Sequence, residues 1–205
     1  MLPNSLRRFL SVFLSVFLLL ALPWPGMYAA YRALFRSLSG AFLCASTEHC
    51  EVTVENLRDP GHAAADTRLV IVNPQLMTPA GSGPVRNLDF NSVRLGWYPT
   101  ALFVALVLAT PASFRRRFWT IVAGLVAVHG YALAVLAFSV WNESAAVSLV
   151  SRPTGWQPVS DRLQQALLNQ LSLAVPVIAW VAMSLRLGVR AKGGPGAATA
   201  IPNVD

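Results

Sequence analysis

The chain has 205 residues, 55% of them hydrophobic and only 12% charged. Soluble proteins carry about a quarter charged residues, so this composition excludes a disordered regulator and argues against an ordinary soluble enzyme. Fifteen Arg and one Lys against nine acids give a net charge of +7, a surplus that in a membrane protein orients the chain and does not call for nucleic acid.

Arg7 and Arg8 precede an apolar run from Phe9 to Leu22, followed by Pro23, Trp24 and Pro25. That run is shorter than the roughly 20 residues a helix needs to cross the hydrocarbon core. If the prolines kink the helix without ending it, Phe9 to about Tyr31 forms a first span. The alternative is a cleaved signal peptide, which has the basic start but lacks a clean small-x-small cleavage site. The expected domain limits are 1–31 for this tail and span, then 32–96 for an external module.

The module carries six of the nine acids, both cysteines, and His49 and His62. Val52–Val54, Arg68–Val72 and Val85–Phe90 are β-branched or alternating stretches bounded by Asp59-Pro60-Gly61, Asn73-Pro74 and a Pro/Gly run from Pro79 to Pro84. They predict a small antiparallel β layer, preceded by a helical extension around Tyr31 to Phe42. A core this thin needs the membrane or a partner to lean on.

Trp97-Tyr98-Pro99 opens a second span, 97–114, and Arg115, Arg116 and Arg117 form a basic turn at 115–118. The third span is 119–141, with tryptophans near both ends as interfacial belts predict. A polar loop at 142–162 and a fourth span at 163–185 follow. The tail, 186–205, begins with cations and ends in Gly, Ala and Pro without periodicity. The fold class is thus a membrane α-helical four-span bundle with a small β-rich periplasmic domain between spans 1 and 2.

With both termini in the cytoplasm, the inner segments hold eight cations and one acid, whereas the outer segments balance. The Arg115–Arg117 block is the strongest orienting signal, since cations close to span ends decide topology. The Arg- and Ala-rich style fits a bacterial inner membrane. The bilayer is then one partner, and nucleic acid is not expected.

Cys44 and Cys50 lie in the outer module, where an even count favours a local disulfide. Free thiols and a metal site using Cys44, His49, Cys50 and His62 are the alternatives. No metal is expected, because adjacent His49 and Cys50 do not readily share one tetrahedral ion. No cofactor motif occurs.

His129 falls at the middle of the third span, where an ionisable side chain is costly and faces protein or water. At 100° per residue, Ala123, Ala127, Gly130, Ala134 and Ala137 share a sector, a seam for close helix packing, and His129 lies about 120° from it. With two non-lipid faces, this span is expected to be the central helix of the bundle. On the fourth span Gln165, Asn169 and Ser172 follow at i, i+4 and i+7, and Pro176 leaves the Ser172 carbonyl without its helical donor. These residues and His129 predict either a polar intramembrane pocket or simple interhelical hydrogen bonding. Arg94 beside Trp97 reads as an interfacial anchor or an anion-binding group.

From Asn91 to Glu143 the layout resembles the core of the exosortase and archaeosortase membrane transpeptidases: Arg94-Leu95-Gly96-Trp97 at the outer mouth, a short apolar span, Arg115–Arg117, then His129-Gly130-Tyr131 on the next span. The family's cysteine would fall near Arg94 to Gly96, where no cysteine stands, and His129-Gly130-Tyr131 replaces its second motif. The outline is also similar to the small membrane proteins that accompany exosortases. The resemblance implies a non-enzymatic accessory protein of surface-protein sorting, export or envelope assembly, with a membrane-protein partner such as a sortase-like enzyme. Alternatives are an exosortase-like enzyme of non-standard chemistry, with His129 and Arg94 as catalytic candidates, and a subunit of a multi-component transporter.

Overall fold

The computed structural model describes residues 3–22, 24–44, 51–57, 65–78, 83–145 and 155–192. It is mostly helical with one three-stranded antiparallel sheet. Helix α1 spans Asn4–Ala21 and α2 spans Pro25–Cys44. Leu22, which precedes Pro23, turns extended with φ −62° and ψ 142°, because the proline ring disfavours helical backbone in the residue before it. The prolines therefore end α1. The expected single span to Tyr31 is two helices, and the extension around Tyr31 to Phe42 belongs to the longer α2.

The end of α1 is closed by aromatic donors. Trp24 Nε1 donates to the Leu19 carbonyl, Trp97 Nε1 to Leu20 and the Tyr28 hydroxyl to Ala21, at 2.9, 2.9 and 2.8 Å. The last carbonyls of a helix lack intrahelical donors, and these three bonds supply donors to three of them.

Strands β1 (Glu51–Asn56), β2 (Thr67–Val72) and β3 (Val85–Phe90) lie in the order β1-β2-β3. All three predicted strands are present. The register pairs Val52 with Ile71, and Leu69 with both Val54 and Leu88. Period-two alternation then puts Val52, Leu69 and Ile71 on one face. That face is buried with Phe90 against Tyr31, Phe35 and Leu43 of α2. The same core includes Ala132, Leu136 and Val140 of α4 (Phe114–Ser144). The module thus leans on the chain's own helices, where the sequence had pointed to the membrane or a partner.

Helix α4 has 31 residues, about 46 Å at 1.5 Å per residue, against roughly 30 Å of hydrocarbon. The excess length accommodates the turns that pack on the sheet. Arg115, Arg116 and Arg117 sit in its first turn, and the reversal itself is at Pro111 to Ser113. Cations there oppose the helix dipole. Arg117 partly compensates by donating to the Thr110 carbonyl at the end of α3, 3.1 Å away.

Helix α3 (Tyr98–Ala109) is the centre of the bundle, packing against α1, α4 and α6 (Ser172–Lys192). Its sequence is apolar on every side, as a helix surrounded by others requires. The expectation that the third span is central is therefore corrected. The seam is corrected in the same way: Ala123, Ala127, Gly130 and Ala134 are exposed, and only Ala137 packs against the core. The close approach to α3 is made by Gly124, where an added Cβ would run into the Phe103 ring. A Cβ on Gly130 would meet nothing within 4 Å.

Helix α5 (Gln157–Ala166) starts inside the stretch read as a polar loop and continues through a π-helical turn, Leu167–Leu171, into α6. Helices α1 and α4 are long and apolar enough to cross a membrane, and Val93–Ala109 and Ser172–Ser184 are shorter apolar helices.

Overpacking a close contact costs about 1–3 kcal/mol. Gly124→Leu is therefore expected to lower the melting temperature of the detergent-solubilised protein clearly, and Gly130→Leu to leave it within error. Equal losses in a thermal-shift series would show that α3 and α4 do not meet as described.

Candidate functional site

The turn from β3 into α3 is built around Asp66. This carboxylate is 7% exposed. It accepts from the Ser92 backbone N–H at 3.0 Å, the Ser92 hydroxyl at 2.9 Å and the Thr67 hydroxyl at 2.8 Å. The Arg32 Nε of α2 lies 3.2 Å away as an ion pair without hydrogen-bond alignment. Asn91 Oδ1 accepts from the Arg94 N–H at 2.9 Å. The backbone then makes a π turn, Val93–Trp97, closed by the Tyr98 N–H donating to the Val93 carbonyl. Pro99 has no N–H to give to the Leu95 carbonyl, which favours such a register change. Gly96 is required here, because a Cβ would collide with the Tyr31 hydroxyl.

Tyr31 is the hub of an aromatic cluster. Its ring lies 5.2 Å from Trp97, 5.9 Å from Phe35 and 6.0 Å from His129. His129 Nδ1 is 2.9 Å from the Leu125 carbonyl, and Nε2 is 3.2 Å from the Tyr31 hydroxyl. A carbonyl only accepts, so Nδ1 carries the proton, and in the neutral ring Nε2 accepts from Tyr31. Nε2 thus serves the junction of α2 and α4, and Nδ1 fixes the ring on α4.

Arg94 faces elsewhere. It lines an open cavity of about 590 Å³ whose wall includes Asn91, Leu95, Tyr98, Leu168, Ser172 and Leu173. The cavity lies between the two π turns: Arg94 and Leu95 come from the first, Leu168 from the second. Such turns recur at functional sites. Asp89 also lines it, but its carboxylate takes two bonds from Arg68, 2.7 and 2.9 Å. This bond holds the Arg68 guanidinium above its usual pKa. The Arg94 side chain is exposed and has no ion pair among the described residues.

A second, polar cavity of about 400 Å³ also touches Leu168 and is lined by Arg86, Asn142, Glu143, Gln157, Asp161, Gln164 and Gln165. Asn142 is 1% exposed. Its Nδ2 donates to Asp161 Oδ1 at 3.1 Å and Gln164 Oε1 at 2.5 Å, and its Oδ1 has no donor.

The predicted polar pocket is therefore divided. His129 belongs to the aromatic junction, Gln165 to the polar cavity and Ser172 to the Arg94 cavity. The Asn169 side chain lies outside what the structure describes, as does Cys50 and with it the Cys44–Cys50 disulfide. His49 and His62 also lie outside. Among the described residues no cluster of three His, Cys, Asp or Glu side chains could hold a metal. Sequence reasoning passed over Asp66, Tyr31 and Asn142. Only the acid had a local signal, since Asp66-Thr67 opens a strand.

Comparison with family models, curated proteins and solved structures found no match to this chain.

Tyr31→Phe removes one hydrogen bond and leaves His129 Nε2 unpaired, a change worth about 1–3 kcal/mol. The expected result is a lower melting temperature, with no further loss when His129→Ala is added to Tyr31→Phe beyond that of His129→Ala alone. Fully additive losses in this double-mutant cycle would show that the two residues are not coupled.

Proposed function

We propose that this chain is a non-catalytic multi-pass protein of a bacterial inner membrane, acting as an accessory component of surface-protein sorting, export or envelope assembly. Its four apolar helices α1, α3, α4 and α6 cross the bilayer with both termini in the cytoplasm. The sheet and α2 stand on the periplasmic side. The inside-positive charge bias and the arginines at the start of α4 support this orientation. The aromatic side chains Trp24, Tyr28 and Trp97 at the other end of α1 fit an interfacial belt.

The observation that carries the accessory reading is the use of His129. Its Nε2 pairs with the Tyr31 hydroxyl of α2 and its Nδ1 with the Leu125 carbonyl one turn back in α4, whereas Arg94 opens into a separate cavity. A transpeptidase-like mechanism needs a nucleophile, a base and a charge-stabilising group that converge on one reacting atom. The two catalytic candidates serve different neighbourhoods, which favours a recognition role. The exosortase-like layout supports the assignment to surface-protein sorting, with a sortase-like membrane enzyme as partner. The exposed residues Ala123, Ala127, Gly130 and Ala134 are small enough to admit a partner helix.

Reporter fusions after Asn73, Arg116, Gly155 and the C-terminus are expected to read outside, inside, outside and inside. A periplasmically active C-terminal fusion overturns the topology. In the native host, His129→Ala is expected to lower abundance and partner recovery together, with display of sorted surface proteins falling in proportion. Normal abundance and partner recovery with display abolished would replace the accessory role by a catalytic or proton-handling one.

A further inference from the structure

The two cavities that meet at Leu168 have complementary chemistry. One offers a single exposed guanidinium, Arg94, with hydroxyl-bearing Tyr98 and Ser172 and apolar walls from Leu95 and Leu173. The other is rich in acceptors and amides. Asp161 and Glu143 in this wall favour O–H and N–H donors, and Arg86 adds one cation to it.

We propose that the two cavities form one site for an anionic membrane lipid with a hydroxylated headgroup, of the phosphatidylglycerol type. The phosphodiester lies on Arg94, whose planar fork suits phosphate oxygens. The headgroup hydroxyls pass Leu168 to donate to the Asp161 carboxylate, while Gln165 donates its amide to them. The acyl chains leave along Leu173, an exposed face of α6. The cavities, about 590 and 400 Å³, fall in the size range of small-ligand sites. This assignment names a ligand for the recognition role proposed above and rests on its membrane reading.

Native mass spectrometry of the full chain in detergent tests the site, using phosphatidylglycerol, phosphatidylmethanol with the same charge but no headgroup hydroxyl, and tail-less glycerol 3-phosphate. The expected order is phosphatidylglycerol retained at least about tenfold better than phosphatidylmethanol, with glycerol 3-phosphate not retained. Arg94→Gln, at an exposed position, should weaken both lipids about tenfold. Gln165→Leu, also exposed, should remove most of the preference for phosphatidylglycerol and leave phosphatidylmethanol unchanged. Equal retention of the two lipids by the unaltered chain overturns the headgroup contacts, and indifference to Arg94→Gln overturns the phosphate contact. Retention of glycerol 3-phosphate as strong as that of the lipid makes this a site for a soluble phosphoester and rejects the proposal. Resistance to carbonate extraction, measured in parallel, separates the two readings: an integral protein that retains no lipid loses this site alone, and an extractable one loses the membrane reading as well.

Discussion

The buried Asp66 carboxylate is the constraint on which the rest of the structure depends. Removing a carboxylate from water costs several kcal/mol, which is recovered only when its oxygens are well supplied with donors and opposite charge. Thr67, Ser92 and Arg32 supply them. These partners come from the second strand, the turn into α3 and α2, so meeting the needs of one carboxylate brings three segments together. Arg94 and Trp97 follow Ser92 by two and five residues, and their positions are inherited from it. The cavity wall and the cap on α1 are both consequences of where that turn is held.

The aromatic junction solves a related problem by different means. Where the sheet meets the helices, a buried carbonyl without a donor is expensive. Tyrosine, tryptophan and histidine carry a polar atom on an apolar body. Trp24, Tyr28 and Trp97 give theirs to the last carbonyls of α1, and Tyr31 gives its hydroxyl to His129. An ionisable residue that looks like a functional group in the sequence is thereby used as a connector. The same economy explains Gly96, whose missing side chain leaves room for the Tyr31 hydroxyl.

The cavities arise where regular helix is interrupted. Each π turn adds a residue to its helix and displaces the groups around it, so side chains from Arg94–Leu95 and from Leu168 no longer interlock across the gap. Pro99 lies just past the first turn and Pro176 a few residues past the second. The arrangement is compatible with a rigid bundle because α3 remains apolar throughout its packed length and binds its neighbours through Phe103, Ala105 and Val107.

The sequence by itself determined the local features. Strands at Val52–Val54, Arg68–Val72 and Val85–Phe90 were legible because β-branched residues and turn-forming neighbours act over a few positions. The apolar lengths of α1 and α4 were legible because hydropathy is additive along the chain. The end of α1 at Ala21 needed the choice that two prolines leave open, kink or stop, and the Trp97 bond to the Leu20 carbonyl comes from 77 residues away. The small-residue sector of α4 was equally legible as a pattern, but periodicity does not tell which face meets a neighbour, and Gly124 over Phe103 took the contact. His129 and Arg94 could be singled out by residue type. Their separation into two neighbourhoods depended on Tyr31, 98 residues away from His129, and on a helix register altered by the π turns. Tertiary structure alone decides such questions, because a hydrogen bond between distant segments has no signature in the spacing of either one.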